Sequence, residues 1–83
     1  MKLYELMNTV TIQGHVEIKL FEADGEEKDS AFYENVDDLA TVEIPDGWDD
    51  YEVTFLYSQR FERKHWKYVE QASLLTIEVV ADE

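Results

Sequence analysis

Apolar and polar residues alternate along the first part of the chain. From Val10 to Leu20 the even positions are apolar except for Gly14, and the odd positions are polar. This period of two is typical of a β-strand with one buried face. The glycine within it predicts one strand bent at that point, or two strands sharing a face. Asp24-Gly25 favours a type I′ turn, and a second strand over residues 28–35 completes a predicted hairpin.

The second half of the chain contains two further alternating segments. Residues 51–57 and residues 75–80 each predict a strand. Between the hairpin and these strands, Val36–Leu39 predicts a single helical turn, because its apolar ends are three positions apart. Val42 and Ile44 predict a short strand that stops at the turn signal Pro45-Asp46-Gly47. At the N-terminus, residues 2–7 carry leucines at helical spacing and predict a short helix.

Residues 60–73 leave two alternatives open. Phe61, His65, Tyr68, Val69 and Ala72 are spaced as on one face of a helix. Their aromatic character also suits the two arms of a long hairpin. The spacing makes the helix the preferred prediction.

These elements together predict an α+β, mainly β fold. We expect one domain over residues 1–83, with a small antiparallel twisted sheet of four or five strands and one or two short helices. Charges at Glu17, Lys19 and Glu78 are expected to protect the sheet edges from pairing with other chains. The predicted core comprises Leu3, Leu6, Val10, Ile12, Val16, Ile18, Leu20, Phe32, Val36, Leu39, Val53, Phe55, Leu75, Ile77 and Val79.

The composition fits a folded domain without cysteine chemistry. The chain has 83 residues, of which 45% are hydrophobic, and it has no cysteine. Disulfides, thiolate metal sites and a cysteine nucleophile are therefore excluded. No apolar run approaches the roughly 18 residues of a membrane span, so we expect a cytoplasmic protein with no membrane partner.

The net charge of −13 lies almost entirely in one part of the chain. The stretch from Glu22 to Glu52 holds thirteen carboxylates and one lysine. In a compact body about 30 Å across, the number of negative charges would approach the roughly 18 phosphate charges that 30 Å of duplex DNA carries. The alternative is a solvated face that confers only solubility. An acidic face that contacts a basic partner would consist of Asp24, Glu26, Glu27, Asp29, Asp37, Asp38, Asp46, Asp49 and Asp50.

A short basic and aromatic segment opposes this acidity. Four of the seven basic residues lie within residues 60–67. The surrounding negative charge argues against direct binding of nucleic acid. The segment could instead pair with the acidic stretch, or form an interface in which Trp, Tyr and Arg are enriched, including one that joins copies of this chain. The candidate interface residues are Arg60, Arg63, Trp66 and Tyr68.

Sequence signatures of enzymes and metal sites are missing. The histidines lack an HExxH or comparable context, and the serines lack a nucleophile elbow. Aligning Gly25 or Gly47 with the central glycine of an EF-hand loop places apolar residues at the first and last ligand positions. We therefore expect no catalytic residues, no metal site and no cofactor.

Three segments carry a resemblance to other proteins. MKLYELM at residues 1–7, VTIQGHVEIK at residues 10–19 and EVTFLY at residues 52–57 resemble small uncharacterised acidic proteins of phages and integrative elements from Gram-positive gut bacteria. Residues 60–72 are an addition to that pattern. The resemblance implies a mobile-element setting, in which short acidic proteins mimic DNA or block defence nucleases.

The function expected from the sequence is non-enzymatic binding. The acidic face would engage a basic protein, such as a nucleic-acid-binding or defence protein that a DNA mimic inhibits. The alternative is a self-associating structural or scaffold domain that uses residues 60–68 as its interface.

Overall fold

A computed structural model describes residues 1–64, 67 and 69–81. Helix α1 spans Leu3–Thr9, and the strands are β1 (Gly14–Phe21), β2 (Glu27–Val36), β3 (Glu52–Lys64) and β4 (Val69–Val80). Two 3₁₀ turns, Leu39–Thr41 and Trp48–Asp50, interrupt the connection from β2 to β3. The α+β, mainly β prediction is confirmed.

The four strands form one mixed sheet in the order β2-β1-β4-β3. Two antiparallel hairpins, β1–β2 and β3–β4, meet through a parallel pairing of β1 with β4. The prediction of a wholly antiparallel sheet is therefore wrong. Residues 37–51 cross the sheet between the two edges, which brings β4 back beside β1 in the same direction. Alternation along a strand shows which face each residue occupies, but not which strand lies next to it.

The core lies between one face of the sheet and the layer formed by α1 and the two 3₁₀ turns. On the sheet, Ile18 of β1 lies opposite Ile77 of β4, and both are fully buried. Leu3 of α1 and Leu39 of the first 3₁₀ turn are equally buried against them. Trp48 of the second 3₁₀ turn joins this core at 7% exposure, although the sequence did not predict it.

Three predicted core residues are exposed instead. Val10 follows α1 as its C-cap and is 50% exposed. Phe32, at 49%, lies opposite Glu17 on the uncovered face of the sheet. Phe55, at 63%, follows a bulge between Val53 and Phe55 that shifts the alternation of β3, so it also faces away from the core.

Helix α1 confirms the predicted N-terminal helix. The Lys2 N–H donates to the Glu5 carboxylate at 2.8 Å, which satisfies one free backbone donor at the helix start. After the helix, β1 begins only at Gly14, whose φ is +96°. Ile12 is still buried, and its carbonyl accepts the Leu39 N–H at 3.0 Å. The alternation before Gly14 therefore correctly marks Ile12 as a core residue, but the residues before Gly14 do not belong to strand β1.

The β1–β2 hairpin is confirmed, but its turn differs from the prediction. The Gly25 N–H donates to the Glu22 carbonyl at 2.9 Å. Gly25 has a φ of +92°, whereas Asp24 does not have positive φ. A type I′ turn centred on Asp24-Gly25 would require positive φ at both residues. The turn instead lies one residue earlier and uses the glycine at its end.

Two predictions for the connection between β2 and β3 are wrong. Val36 ends β2, and the helical turn forms later, at Leu39–Thr41, where Asp38 Oδ1 accepts the Ala40 N–H at 3.1 Å. Val42 and Ile44 pack against the core without forming a strand. The turn at Pro45-Asp46-Gly47 is confirmed, because the Trp48 N–H donates to the Pro45 carbonyl at 3.1 Å.

Residues 60–64 and 69–73 are the two strands of a hairpin, so the preferred helix is wrong and the alternative is correct. Arg60 lies opposite Ser73, and Phe61 lies opposite Ala72. The apparent helical spacing of Phe61 and Ala72 thus reflects cross-strand neighbours. Pairing of β4 with β1 ends at Leu74, so these residues extend the hairpin beyond β1; we call them the arm. The predicted helical positions His65 and Tyr68 lie outside the described residues.

Candidate interaction surface

The densest group of exposed carboxylates surrounds the β1–β2 turn. Glu22, Asp24, Glu26, Glu27 and Asp29 lie within residues 22–29, which we call the acidic turn. Lys19 of β1 lies 3.8 Å from Glu27 and 3.9 Å from Glu17. Four of the nine predicted contact residues are thus brought together, and Glu22 extends the group.

The other five predicted contact residues lie elsewhere. Asp37 and Asp38 follow the opposite end of β2, about 30 Å from the acidic turn by strand rise. Asp46, Asp49 and Asp50 are exposed in the layer that covers the core. The predicted acidic face is therefore divided into three separate groups, which lie at the two ends of the sheet and on the layer that covers the core.

The shape of the molecule lowers its charge density. Its extents are 47 × 27 × 20 Å and its radius of gyration is 13.5 Å, so the body is longer than the compact one expected. Duplex DNA of that length carries about 28 phosphate charges. The net charge of −13 is about half of that number.

The sheet face opposite α1, which we call the open face, carries a cluster of three rings. His15 lies 5.3 Å from Phe61 and 6.3 Å from Phe32, measured between ring centroids. Phe32 and Phe61 meet edge to face at 6.0 Å. The Asn35 N–H donates to His15 Nδ1 at 3.2 Å. These rings come from three strands, so the sequence could place His15 on the outer face but could not bring the rings together.

Polar pairs continue the open face towards the acidic turn. Tyr57 donates its hydroxyl to Glu78 Oε2 at 2.6 Å, and Gln59 Nε2 donates to Thr76 Oγ1 at 3.0 Å. The hydrogen bond to Glu78 raises the pKa of Tyr57, and the charges of Glu17 and Glu27 act in the same direction. Tyr57 is therefore held as a hydrogen-bond donor beside three carboxylates.

An apolar slot opens beside the acidic turn. Its volume is about 280 Å³, close to the lower limit for small-molecule sites. The walls come from the ends of three strands and from the turn. The lining residues are Phe21, Glu22, Ala23, Gly25, Thr54, Phe55, Glu78 and Val80. This arrangement, in which aromatic and aliphatic side chains lie beside carboxylates, was not predicted from the sequence.

Two shallow depressions lie on the other side of the sheet. One of about 360 Å³ is bordered by Tyr33 and residues 43–46, and the other, of about 290 Å³, by α1 and residues 40–49. Tyr33 donates to the Glu43 carbonyl at 3.2 Å, and burial together with the Glu43 charge raises the pKa of Tyr33. Both depressions are open clefts beneath the connection from β2 to β3.

The basic candidates lie at the other end of the sheet. Arg60 is in the arm and donates to Gln71 Oε1 at 3.5 Å. In the strand register Arg60 lies opposite Ser73, which is seven residues along β4 from Val80. Because Val80 lies beside the acidic turn, Arg60 is about 23 Å from that turn. Arg63 is opposite Glu70 in the strand register. Trp66 and Tyr68 lie outside the described residues.

The predicted protection of the sheet edges is wrong. Glu17, Lys19 and Glu78 lie on β1 and β4, which are the two central strands. The edges are β2 and β3. On β3, the consecutive residues Phe55, Leu56 and Tyr57 are all exposed.

Within residues 1–64, 67 and 69–81, no group of three or more His, Asp or Glu side chains is placed to hold a metal ion. No helix in the described part of the chain is long and apolar enough to cross a membrane. Comparisons with family models, curated proteins and solved structures gave no match. The resemblance to proteins of phages and integrative elements therefore stays a prediction.

Proposed function

We propose that this protein is a non-enzymatic binding module that engages a basic, cytoplasmic protein partner through its acidic turn and the adjoining slot. The observation that carries the proposal is the slot itself, whose apolar walls lie beside Glu22 and Glu78. A patch that served only solubility would need carboxylates but no apolar recess among them.

The slot suits one long cationic side chain. Arginine and lysine combine an apolar stem with a charged head, and they bury the stem while the head stays polar. The stem would pack against Phe21 and Val80, and the head would reach the carboxylate of Glu22 or Glu78. Arginine fits best, because its planar guanidinium binds carboxylates with two parallel hydrogen bonds.

The remaining carboxylates of the acidic turn would act at longer range. Asp24, Glu26 and Asp29 are exposed around the slot, so their field would attract a basic surface and speed the encounter. The partner class that we propose is a nucleic-acid-binding protein. The binding groove of such a protein is lined by basic side chains, and its shape accommodates an elongated anion. The length of 47 Å and the net charge of −13 support partial occupation of such a groove.

The test compares two variants that remove equal charge. Glu22→Gln with Glu26→Gln neutralises two carboxylates at the acidic turn, whereas Asp46→Asn with Asp49→Asn neutralises two on the covering layer. A partner captured by the immobilised wild-type protein should bind the first variant at least about tenfold more weakly and the second nearly normally. The affinity should fall between about 50 and 500 mM salt, and duplex DNA should compete. Equal losses in both variants, or affinity that is insensitive to salt, would contradict the proposal.

A second candidate is self-association through residues 60–68. The observation that favours it is the arm, which extends beyond β1 at the end of the sheet opposite the acidic turn. The arm of one copy could meet the acidic turn of the next in a head-to-tail contact. Light scattering should then show association at low salt that high salt abolishes, and a constant monomer mass at low salt and high protein concentration would exclude it.

A further inference from the structure

Glu78 is the carboxylate of the slot that lies on a central strand. It belongs to β4, which is hydrogen-bonded to β1 on one side and to β3 on the other. Its backbone is also held by a side chain of β3, because Thr54 Oγ1 donates to the Glu78 carbonyl at 3.2 Å. Glu22, the other carboxylate of the slot, lies on the exposed acidic turn. Glu78 is therefore the slot carboxylate whose backbone is fixed from both sides.

The side chain of Glu78 is held by a neutral group. The Tyr57 hydroxyl donates to Glu78 Oε2 at 2.6 Å, a length typical of an O–H donor on an ionised carboxylate. Lys19 lies directly opposite Glu78 in the register of β1 and β4. Its ammonium group lies instead 3.8 Å from Glu27 and 3.9 Å from Glu17. The carboxylate of Glu78 is thus oriented by a hydrogen bond that leaves its negative charge available to another cation.

Tyr57 acts on the slot through Glu78. The slot is lined by Phe55 and Glu78 but not by Tyr57. In the register of β3 and β4, Glu78 lies opposite Phe55 and Tyr57 lies opposite Thr76, so the hydrogen bond runs diagonally between the two strands. A cationic side chain in the slot would therefore contact the Glu78 carboxylate, and the Tyr57 hydroxyl would support that carboxylate from outside.

We propose that Tyr57 is a positioning residue of the slot, which orients the Glu78 carboxylate so that the slot selects arginine over lysine. The proposal rests on the proposed function of the slot as a site for a cationic side chain. A guanidinium forms two parallel hydrogen bonds with a carboxylate of matching orientation, whereas an ammonium acts as a point charge. Because each carboxylate oxygen can accept two hydrogen bonds, Oε2 can still bind a guanidinium N–H. A fixed Glu78 therefore favours arginine more than lysine.

Loss of the Tyr57 hydroxyl would release the Glu78 side chain. Lys19 lies opposite Glu78 and would then compete for its carboxylate. An ion pair between the two would cancel the charge that Glu78 offers to an occupant of the slot. Tyr57→Phe removes the hydroxyl and keeps the ring, so it tests the hydrogen bond without removing the packing of the open face.

The first experiment titrates the protein with two capped peptides, Gly-Gly-Arg-Gly-Gly and Gly-Gly-Lys-Gly-Gly, at low salt. The backbone amide signals of Phe21 and Val80, which line the slot, report binding in nuclear magnetic resonance spectra. The wild type should bind the arginine peptide at least about threefold more tightly than the lysine peptide, and Tyr57→Phe should abolish this preference. Tyr33→Phe removes a hydroxyl that donates to the Glu43 carbonyl and should leave both affinities unchanged. A preference for arginine that persists in Tyr57→Phe, or its absence in the wild type, would overturn the proposal.

The second experiment needs no ligand. A double-mutant cycle of Lys19→Met and Glu78→Gln, measured by urea denaturation, gives the coupling between these two side chains. The coupling should be larger in the Tyr57→Phe background than in the wild type, by a few tenths of a molar in the urea midpoint. Equal coupling in both backgrounds would show that Tyr57 does not position Glu78. Failure of the wild type to bind either peptide would contradict the proposed function of the slot, whereas the cycle decides the role of Tyr57 without it.

Discussion

Replacing Trp48 with alanine should remove a large part of the stability of this fold. Trp48 is 7% exposed and packs with α1 and the sheet beneath the connection from β2 to β3. A buried tryptophan removes up to about 250 Å² from water, which is worth about 6 kcal/mol at 25 cal/mol per Å². A compact unfolded state reduces this by about a third, to about 4 kcal/mol, in agreement with tryptophan-to-alanine substitutions in other proteins.

That loss is comparable to the whole stability of a domain of this size. At 0.05 to 0.15 kcal/mol per residue, 83 residues give about 4 to 12 kcal/mol. Urea denaturation followed by circular dichroism measures the change, and with a slope of about 1.2 kcal/mol per molar the midpoint should fall by about 3 M, or the variant should be unfolded in water. Trp48→Phe is the matched control and should retain most of the stability. A loss below about 1 kcal/mol for Trp48→Ala would refute the inference that residues 37–51 are held across the sheet by this side chain.

Two further predictions concern the open face and the acidic turn. Glu78→Gln should lower the pKa of Tyr57 towards its ordinary value, because the hydrogen bond to the carboxylate raises it; ultraviolet titration of tyrosinate, with Tyr57→Phe to assign the signal, measures this change. Since the folded pKa of Tyr57 is raised, its stabilising contribution is complete below the unfolded value of about 10 and is lost as the pH rises through the folded value. A stability that falls equally above pH 10 in the wild type and in Tyr57→Phe would contradict this. Gly25→Ala should destabilise the hairpin by about 1–2 kcal/mol in thermal unfolding, because Gly25 has a φ of +92°, which alanine adopts only with strain. The added methyl group meets no atom within 4 Å, so the loss would come from the backbone and not from a clash. Gly25→Asn should lose less, since asparagine tolerates positive φ, and equal losses would indicate a steric cause.

The sequence predicted the elements that depend on local pattern. Alternation identified the four strands apart from the arm, where a helix was preferred, and leucine spacing identified α1. These predictions succeed because the side-chain period follows directly from backbone geometry. At Val53 the same reasoning failed for the residues that follow, because a bulge adds one residue and turns Phe55 to the open face. Nothing in the local pattern of β3 marks that insertion.

Features that depend on contacts distant in sequence could not be predicted. The parallel pairing of Ile18 with Ile77 joins residues 59 positions apart, and alternation contains no information about it. The slot likewise combines Phe21, Phe55 and Val80 from three strands. The uneven distribution of charge was visible in the sequence, but its division into three groups depends on the path of residues 37–51.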